Sequence, residues 1–411
     1  MLIPQLGYGG AESAFLRLTK FLALHADVTI ALMARDYGGG NYSTEGGQTD
    51  LPVVLLDDGR ISKPSVAAKA MRWWRMLRRL KRLKREHDVS ISFLSGMNLL
   101  NAIASPRIRT VVSERGSKLH HTNISKISKF LWLKFLDPLT YRLASSIVVV
   151  SKGYATEVAT IAGKSAQSKV IAIEGPVDAR ALMKAADGTP DPDISRFCTG
   201  STAVFCGRLD HGKGIDLLAH TFADIRKSVP KVRFLIIGDG PLLETLKELF
   251  RDSGLTITTV GDPSADIFMA GYRSSPSRHY KLAQVFLFPS LHEGLGNALI
   301  EAVASSIPVL AADCPWGPRS ILAGPTDILP FPERVTTPLQ LEHGTLMPLP
   351  TDSKSLEAWA GEIIKALQTK VIPRSSEATR QAISRFDIET AGPEWMQVIR
   401  NVAARAGRDV E

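Results

Sequence analysis

Short runs of apolar residues, many of them β-branched, alternate along the chain with longer segments in which apolar positions recur every three or four residues. Continuous apolar runs are typical of parallel strands buried on both faces of a sheet, and the longer period is typical of amphipathic helices. This alternation predicts right-handed strand–helix–strand units and an open parallel sheet. In the first part of the chain we predict strands at 28–33, 53–56, 89–93, 109–112, 147–150 and 170–173. We predict helices there at 10–24, 64–86, 123–143 and 152–161.

A polar stretch at 187–193, rich in aspartate, proline and glycine, interrupts this pattern and predicts an exposed connector. The alternation then restarts, with predicted strands at 203–206, 234–237, 257–260, 285–288 and 309–311 and predicted helices at 215–228, 241–252, 297–305 and 356–367. The predicted fold class is therefore α/β, with two tandem Rossmann-like domains. The alternative is one doubly wound sheet that holds all of these strands, and sheets of that size are uncommon.

Composition places the chain among ordinary globular proteins. Of its 411 residues, 44% are hydrophobic and 22% are charged, which excludes wholesale disorder and fibrous repeats. Cys198, Cys206 and Cys314 are too few for a disulfide framework, so a reducing compartment is expected. No secretory signal is recognisable, and no apolar run approaches the roughly eighteen residues that span a bilayer. We therefore expect a cytoplasmic protein, soluble or peripheral to a membrane.

The formal net charge of +9 is unevenly distributed. Residues 1–176 carry 25 Lys and Arg against 13 Asp and Glu, a net charge of +12, whereas the rest of the chain carries 25 basic and 28 acidic residues. A field of that kind suits a polyanion or an anionic membrane surface, and it says nothing about the fold.

The excess charge is concentrated in residues 63–85, where ten basic residues occur without an acidic one. Four apolar residues at helical spacing predict a single apolar stripe on this helix: Trp73, Leu77, Leu80 and Leu83. One interpretation is a helix that packs this stripe on its own sheet and solvates its charges. The other is an amphipathic helix at an anionic membrane surface. Binding to nucleic acid is not expected, because no nucleic-acid motif accompanies the charge.

Two glycine-rich turns predict close approach of the backbone to a ligand or simply a tight connection. Gly7-Tyr8-Gly9-Gly10 follows the brief apolar segment Leu2-Ile3, so either the first strand is short or its start lies further upstream. Gly238-Asp239-Gly240-Pro241 follows a predicted strand, and Pro241 is expected at the first helical position.

Two cations share a third glycine-flanked loop. Arg208 and Lys213 follow the first predicted strand of the second domain, and the carboxyl ends of strands are where open α/β sheets bind ligands. A guanidinium group can bind a diphosphate bidentately, and an ammonium group binds it as a point charge. Two solvated loop cations are the alternative interpretation.

The most specific segment is His-Glu-Gly-Leu-Gly-Asn-Ala-Leu-Ile-Glu-Ala at 292–302. Glu293 falls in a turn, and the backbone N–H groups of the following residues open a helix. A carboxylate there can simply cap the helix. Glu301, however, lies within an otherwise apolar helix that must pack against a sheet, so it needs a polar partner. Sugar hydroxyls would provide one, and His292 could lie near the same sugar.

With these segments in this order, the sequence resembles a GT-B glycosyltransferase of the large retaining family often called glycosyltransferase family 4, or group 1. The resemblance spans nearly the whole chain and implies two tandem Rossmann-like domains facing across a cleft. The matching elements are Gly9-Gly10-x-Glu12, Ser113-Glu114-Arg115, 148–151, Pro176-Val177-Asp178, Gly207-Arg208-Leu209, Lys213-Gly214, Gly238-x-Gly240-Pro241, Glu293-x7-Glu301 and 313–319. The resemblance implies an acceptor-binding domain at 1–176, a linker at 177–200, a nucleotide-sugar-binding domain at 201–385 and a helix at 386–411 that crosses back to the first domain.

The resemblance also implies roles for individual residues. Arg208 and Lys213 would neutralise the leaving diphosphate, Glu293 would bind hydroxyls of the donor sugar, and Glu301 would bind the ribose. The remaining donor-binding residues would bring backbone close to the sugar and phosphates: Gly9, Gly10, Gly238, Gly294, Leu295, Gly296 and Asn297. No metal or other cofactor is implied, because the paired cations would do what a metal does for a leaving phosphate.

On the acceptor side the resemblance implicates Glu114, Arg115, His120 and His121, although exposed loop histidines are an alternative interpretation of the last two. Ser320 stands where related sequences often have glutamate, and Trp316 stands where a small residue is usual; both bear on fine specificity rather than on class.

The implied protein is a retaining, metal-independent hexosyltransferase that moves a sugar from a UDP- or GDP-sugar to a polyprenyl-linked glycan. It would lie on the inner face of the plasma membrane, held to the anionic surface by helix 63–85. The alternatives are a transferase for a soluble acceptor, a GT-B sugar-nucleotide epimerase and a non-catalytic sugar-binding assembly subunit.

Overall fold

The computed structural model describes residues 1–7, 9–33, 50–57, 66–104, 109–120, 125–324, 333–369 and 374–408. Within this part the chain divides into two compact units. The first unit contains the residues up to 119, those from 125 to 177 and the terminal segment from Phe386. The second unit contains 178–385 together with His120. Each unit is an α/β structure built on a largely parallel sheet, as the alternation of strand and helix patterns predicts.

The strands of the first unit are β1 (Leu2–Ile3), β2 (Ile30–Leu32), β3 (Val53–Leu55), β4 (Ser90–Phe93), β5 (Thr110–Glu114), β6 (Ser146–Val149) and β7 (Val170–Ala172). They form a seven-stranded sheet in the order β3-β2-β1-β4-β5-β6-β7, with parallel pairing between its neighbours. β1 is short but central, because Leu2 lies opposite both Ala31 in β2 and Ser92 in β4.

The helices of the first unit are α1 (Gly10–Ala23), α2 (Val66–Lys84), α3 (Ser95–Ala104), α4 (Lys126–Leu131), α5 (Asp137–Leu143), α6 (Lys152–Ala162) and the terminal helix (Ile388–Arg408). A five-residue π-helical turn, Trp132–Leu136, joins α4 to α5. On one face of the sheet, α1 and the terminal helix share a buried cluster in which the Trp395 ring stacks on Phe93 at 6.0 Å between centroids. On the other face, α2 contacts α3, α3 contacts α5 and α5 contacts α6, so these helices lie side by side.

The strands of the second unit are β8 (Thr202–Cys206), β9 (Arg233–Ile237), β10 (Ile257–Thr258), β11 (Ile267–Gly271), β12 (Val285–Phe288), β13 (Val309–Ala312), β14 (Leu339–Leu341) and β15 (Gly344–Met347). Their order in the sheet is β10-β11-β9-β8-β12-β13-β15-β14. The pairs are parallel except for the edge hairpin β14–β15.

The helices of the second unit are α7 (Ala179–Ala186), α8 (Pro192–Phe197), α9 (Ile215–Ala219), α10 (Phe222–Ser228), α11 (Leu243–Asp252), α12 (Ser277–Tyr280), α13 (Asn297–Ala304), α14 (Gly317–Leu322), α15 (Ser353–Gln368) and α16 (Ser376–Ile383). They enclose an apolar core in which Phe222 stacks on Phe234 at 3.9 Å between centroids. Trp359 is fully buried there and donates from Nε1 to the carbonyl of Pro348 at 2.8 Å.

Several predicted helices are wrong in detail. The pattern at 123–143 predicts one helix, but the described part contains α4, the π-helical turn and α5. The pattern at 215–228 also predicts one helix, but the helix is interrupted between α9 and α10. There the hydroxyl of Thr221 donates to the Leu218 carbonyl at 2.8 Å. The helix after Pro241 begins at Leu243, and the expected linker at 177–200 contains α7 and α8.

The apolar stripe predicted on α2 is also wrong in one position. Met76 and Leu80 are buried, and Leu77 and Leu83 pack beside them. Trp73 lies outside this stripe and is 37% exposed. Lys63 and the residues up to 65 lie outside the described part of the chain. Among the described helices, we find none with the length and apolar character needed to cross a bilayer.

Candidate active site

The order of strands in the second unit creates a switch point between β8 and β12. From β8 the chain proceeds to β9 on one side, and it returns later to place β12 on the other side. Ligands of open α/β sheets bind outside the carboxyl ends of the strands at such a point. The loop after β8 carries Arg208 and Lys213, and the loop after β12 carries Glu293. The sheet topology therefore places both charged loops at the position where this class of fold binds its ligand.

Lys213 and Glu293 meet directly. The Lys213 ammonium donates to Oε1 of Glu293 at 2.6 Å, and the hydroxyl of Ser290 donates to the same oxygen at 2.8 Å. Burial lowers the pKa of Lys213, but the charge of Glu293 and the hydrogen bond to it raise that pKa above its ordinary value. The lysine therefore stays charged at neutral pH, half-buried in the loop that follows the carboxyl end of β8.

Arg208 occupies a different environment from Lys213, although both lie on one loop. Its guanidinium is 64% exposed and pairs with Asp210 through Nε at 3.3 Å. The exposed guanidinium retains donors for a further anion, since the guanidinium group carries five N–H bonds in a fork.

Glycines hold the loops after β8 and β9 in close contact. Gly238 has a φ of 141°, and a side chain there would collide with the carbonyl oxygen of Gly207. Gly240 likewise leaves no room for a side chain against the backbone of Leu209, whose N–H donates to the Asp239 carbonyl at 2.9 Å. These contacts give Gly238 a structural role in the turn. The prediction that it binds the donor stays a prediction.

The start of α13 is fixed to the loop that follows β13. The N–H of Glu293 donates to the Pro315 carbonyl at 2.7 Å, and the N–H of Trp316 donates to the Glu293 carbonyl at 2.9 Å. Gly296 caps α13 with a φ of 108°. Gly294, Leu295 and Gly296 are buried, and Asn297 is half-buried at the first helical position. This backbone frame orients the Glu293 carboxylate toward Lys213.

Glu301 lies about one helical turn after the start of α13 and is half-buried. Burial and then the charge of Glu301 raise the pKa of the Cys206 thiol to about 12. Burial also raises the pKa of Tyr280 well above its usual value, with a further contribution from Glu301. The carboxylate therefore lies close to the end of β8 and to α12, beside the same strand that positions the Lys213 loop.

The loop after β13 carries a buried ion cluster that includes Arg334, a residue absent from the sequence-based prediction. Arg319 and Asp313 form a buried bidentate pair, with Nε–Oδ1 and Nη2–Oδ2 distances of 2.5 Å. Arg334 donates to the Asp313 carbonyl at 3.1 Å and lies 5.8 Å from the Trp316 ring centroid. This cluster fixes the loop that clamps Glu293. Asp313 and Arg319 belong to a recognisable motif, but no sequence signal indicates that Arg334 would join them.

The glycine turn of the first unit is a helix start. Gly9 is the N-cap of α1, and its carbonyl accepts from the N–H of Ser13 at 3.0 Å. A side chain at Gly9 would collide with the carboxylate of Glu12, and burial raises the pKa of Glu12. Gly9 and Gly10 are exposed and accessible to a ligand, and their role in donor binding stays a prediction.

Glu114 is not a surface residue. Its side chain is 2% exposed and accepts from Asn98 at 3.0 Å and from Lys118 at 3.3 Å. Lys118 also donates to Asp137 at 2.9 Å. This buried ion network engages the carboxylate of Glu114, and its predicted contact with the acceptor stays a prediction.

The other acceptor-side candidates are Arg115, His120 and His121, and the structure describes the first two. Burial lowers the pKa of Arg115 to about 9, and its guanidinium donates to the Gly175 carbonyl at 3.1 Å and lies over the Phe93 ring. His120 is half-buried and meets the Trp316 ring edge-on at 6.2 Å between centroids. His121 lies outside the described residues.

An Asp-x-Asp sequence occurs at Asp191-Pro192-Asp193, contrary to the expectation that the chain has none, and two carboxylates at this spacing can chelate a cation. In the structure both are occupied by arginines: Arg278 pairs with Asp191 at 2.8 Å, and Arg273 pairs with Asp193 at 2.6 Å. In the described part of the chain no group of three or more potential His, Cys, Asp or Glu ligands is arranged to hold a metal.

Comparison with known proteins identifies the segment that carries the Lys213–Glu293 pair. Residues 200–339 match the family model described as glycosyl transferases group 1. This segment is therefore similar to the group 1 glycosyltransferases. The group 1 match includes the loops after β8 and β12 as well as all of α13, so Arg208, Lys213, Glu293 and Glu301 all lie within it.

Relatives and solved structures agree with this assignment. The chain is 28% identical over 208 residues to an uncharacterised glycosyltransferase of Methanocaldococcus jannaschii, covering 47% of this chain and 48% of that protein. It is 27% identical over 271 residues to a GDP-mannose-dependent α-(1-6)-phosphatidylinositol monomannoside mannosyltransferase of Mycobacterium tuberculosis, covering 61% and 65%. The chain thus spans between about half and just under two thirds of the length of these relatives.

The fold of the whole chain is that of the GT-B glycosyltransferases. The crystal structure of Anabaena HepE in complex with UDP and glucose superimposes with a TM-score of 0.70 at 18% identity, covering 97% of this chain and 98% of that one. Both units are therefore accounted for by one known architecture.

Proposed function

We propose that the protein is a retaining glycosyltransferase that moves a sugar from a UDP- or GDP-sugar to a lipid-linked glycan at the cytoplasmic face of the plasma membrane. The observation that carries the proposal is the Lys213–Glu293 pair at the β8–β12 switch point, within the segment that matches the group 1 model. A cation and a carboxylate held 2.6 Å apart at the ligand-binding edge of the sheet suit a ligand that carries both a diphosphate and sugar hydroxyls.

The chemistry follows from these groups. When the bond between sugar C1 and the diphosphate oxygen breaks, negative charge develops on that oxygen. The ammonium of Lys213 and the exposed guanidinium of Arg208 stabilise this charge, which makes a divalent metal unnecessary for the step. The acceptor hydroxyl forms its bond to C1 on the face that the phosphate leaves, and the departing phosphate oxygen takes the hydroxyl proton. Glu293 holds donor-sugar hydroxyls, and no carboxylate nucleophile is needed.

Two observations support a lipid-linked acceptor. The mycobacterial relative is named for a phosphatidylinositol mannoside acceptor, which is lipid-anchored. The first unit also presents the basic helix α2. Five described cations of this helix are exposed: Lys69, Arg75, Arg78, Lys81 and Arg82. Arg85, directly after the helix, is exposed too, and Arg79 is exposed but donates to the Leu56 carbonyl. An acceptor whose anionic head group lies at a bilayer surface suits a protein that binds that surface.

The cations of α2 do not all serve this purpose. Arg72 pairs with Asp57 at 2.5 Å, and Arg79 donates to the Leu56 carbonyl at 3.3 Å. Lys84 donates to Asn101 and Thr110, and burial lowers its pKa to about 7. These three residues hold α2 to its own unit, so an experiment on membrane binding must leave them intact.

Reversing four exposed charges of α2 should weaken binding to anionic vesicles at least about a hundredfold, since each cation near such a surface contributes on the order of 1 kcal/mol. The variant replaces Arg75, Arg78, Lys81 and Arg82 with glutamate, and the measurement is co-sedimentation with vesicles at low salt. A matched control reverses four exposed cations of the second unit: Lys231, Arg251, Lys354 and Arg380. Equal binding by the α2 variant and the control would contradict the proposal for α2.

The transferase proposal is tested by identifying the donor and the product. A thermal-shift screen of UDP-, GDP-, ADP- and dTDP-sugars should give one base that raises the melting temperature, because a ligand of the folded form stabilises it. The selected donor is then incubated with a polyprenyl-diphosphate sugar in the presence of EDTA, and the anomer of the product is read by NMR. Retention of the donor anomer without metal is expected.

Other outcomes would favour the alternative functions. Isomerised sugar released without acceptor would indicate an epimerase, and turnover with a water-soluble acceptor alone would indicate a soluble transferase. Absence of binding to every nucleotide-sugar would indicate a non-catalytic subunit. Inversion of the anomer would overturn the proposed front-face chemistry while leaving transfer itself established.

A further inference from the structure

The segment from Lys126 to Leu136, which forms α4 and the π-helical turn, buries none of its side chains. Seven of its eleven residues are apolar. A helix of this composition ordinarily packs into a core. Here Ile127 is 76% exposed, and Phe130 and Phe135 are 56% and 59% exposed. An exposed apolar surface of this kind marks a contact with another molecule or with a membrane.

We call the exposed apolar side chains of this region the apolar face: Ile127, Phe130, Leu131, Phe135 and Leu139. The rings of Phe130 and Phe135 meet edge-to-face at 6.0 Å between centroids. The π-helical turn allows this contact across five residues, because it widens the helix between the two rings. The apolar face therefore extends from α4 through the turn to the start of α5.

The charges around the apolar face are of one sign. Lys126, Lys129 and Lys134 lie within the same segment, which has no acidic residue. The next acidic residue, Asp137, is buried and paired with Lys118 at 2.9 Å, so it presents no charge at this surface. A partner that matches both features must offer negative charge at its surface and apolar volume beneath it. An anionic phospholipid bilayer has that layering, with aromatic side chains entering the acyl boundary and lysines reaching the head groups.

The apolar face reaches, through Leu139 on α5, the layer of helices that contains the basic helix. α5 contacts α3, and α3 contacts α2 on the same side of the sheet. Since all of these helices cover one face of the sheet, their outer surfaces point away from it in the same general direction. α2 presents Trp74 there, 51% exposed, with the Arg78 guanidinium 4.6 Å above its ring. Tryptophan and arginine together are typical of the interfacial region of membranes.

We infer that the apolar face inserts into the acyl boundary of an anionic bilayer while α2 binds the head groups. The choice of a bilayer as partner rests on the proposed function, but the insertion does not depend on transferase activity. The two contacts respond differently to salt. Electrostatic attraction is lost when the Debye length falls to about 3 Å at roughly 1 M salt, whereas the hydrophobic contribution of inserted side chains persists.

The experiment measures binding of the full chain to vesicles of phosphatidylcholine and phosphatidylglycerol at low salt and at about 1 M salt. Wild-type protein should retain binding at high salt. The triple variant Ile127→Ser, Phe130→Ser and Phe135→Ser should bind at least about a hundredfold more weakly under those conditions, at roughly tenfold for each aromatic side chain removed from the acyl boundary. At low salt the same variant should keep most of its binding through α2.

A matched control replaces three apolar residues that are equally exposed elsewhere: Leu24, Val260 and Tyr272, each by serine. This control should bind vesicles as the wild type does at both salt concentrations. Because all six positions are exposed, unchanged melting temperatures and unchanged binding of the nucleotide-sugar are expected for both variants. Those measurements separate loss of membrane binding from loss of folding.

Two results would overturn the inference. The first is high-salt binding by the triple variant that equals that of the wild type. The second is a wild-type dimer in light scattering that becomes a monomer in the triple variant, which would assign the apolar face to a second copy of the chain. Failure of the α2 charge reversal to weaken low-salt binding would instead contradict the proposal for α2, and failure to turn over any donor would contradict the transferase proposal.

Discussion

Replacing Lys213 by alanine is expected to lower kcat roughly a hundred- to a thousandfold, the usual effect of removing one preorganised donor for a developing negative charge. The ammonium is charged, half-buried and held at 2.6 Å from Glu293, so it needs no reorganisation when the diphosphate departs. The measurement is steady-state turnover of the donor found in the thermal-shift screen. The effect should appear in kcat rather than in KM, because the charge on the leaving oxygen is greatest in the transition state.

Three variants make this expectation specific. Lys231→Ala removes an exposed lysine of the same unit and should leave kcat unchanged. Glu293→Gln keeps the size of the side chain but loses the charge that pairs with Lys213, and it should also lower kcat at least about tenfold. Since the two residues act as a pair, the double variant should be less impaired than the product of the single effects. Multiplicative effects on kcat would show that Lys213 and Glu293 act independently, which would contradict the proposal that they act as a pair.

The second large effect is on stability rather than on activity. Lys118→Met should lower the free energy of unfolding of the first unit by about 3–5 kcal/mol, the usual cost of breaking a buried ion pair by removing one partner. Lys118 bonds to both Glu114 and Asp137, and all three side chains are buried. The measurement is urea denaturation followed by circular dichroism. Lys126→Met, at an exposed position of the same segment, is the control and should change stability by less than about 0.5 kcal/mol.

The same network predicts a dependence of stability on pH. Burial raises the pKa of Asp137 to about 7 against the opposing charge of Lys118, and the charges of Glu114 and Glu157 contribute in the same direction as burial. The folded protein therefore holds a proton on Asp137 that the unfolded chain releases near pH 4, so stability from this group should fall as the pH rises from about 4 to about 7. The Asp137→Asn variant has no titratable group at this position, so its free energy of unfolding should change less with pH over this interval. A curve parallel to that of the wild type would show that Asp137 does not titrate there.

The strands could be predicted where a continuous apolar run leaves little choice of structure. β12 and β13 are of this kind, because both faces of each strand are buried in the sheet. β11 escaped prediction although it lies inside the sheet, because its run Ile-Phe-Met-Ala-Gly ends in two small residues of low strand propensity. β14 and β15 escaped it because an edge hairpin is partly polar.

The candidate site was predictable in its residues but not in its contacts. Lys213 and Glu293 lie 80 positions apart, and their meeting depends on β8 and β12 becoming neighbours, which the order of strands along the chain does not reveal. The burial of Glu114 could not be predicted for a similar reason. Its burial depends on Lys118 and on Asp137, a residue of a different helix, and a local motif carries no information about either contact.

The terminal helix has a consequence for how the chain is made. Trp395 belongs to the buried cluster that contains Phe15 and Phe93, so the core of the first unit is incomplete until the last helix has been synthesised. The second unit needs only residues before that point. On the ribosome, where domains generally fold as they emerge, the unit encoded second should therefore finish first. Until the terminal helix packs, the apolar side chains of Phe15 and Phe93 in the nascent first unit are incompletely buried and prone to aggregation. A chaperone would therefore matter most at this stage of biosynthesis.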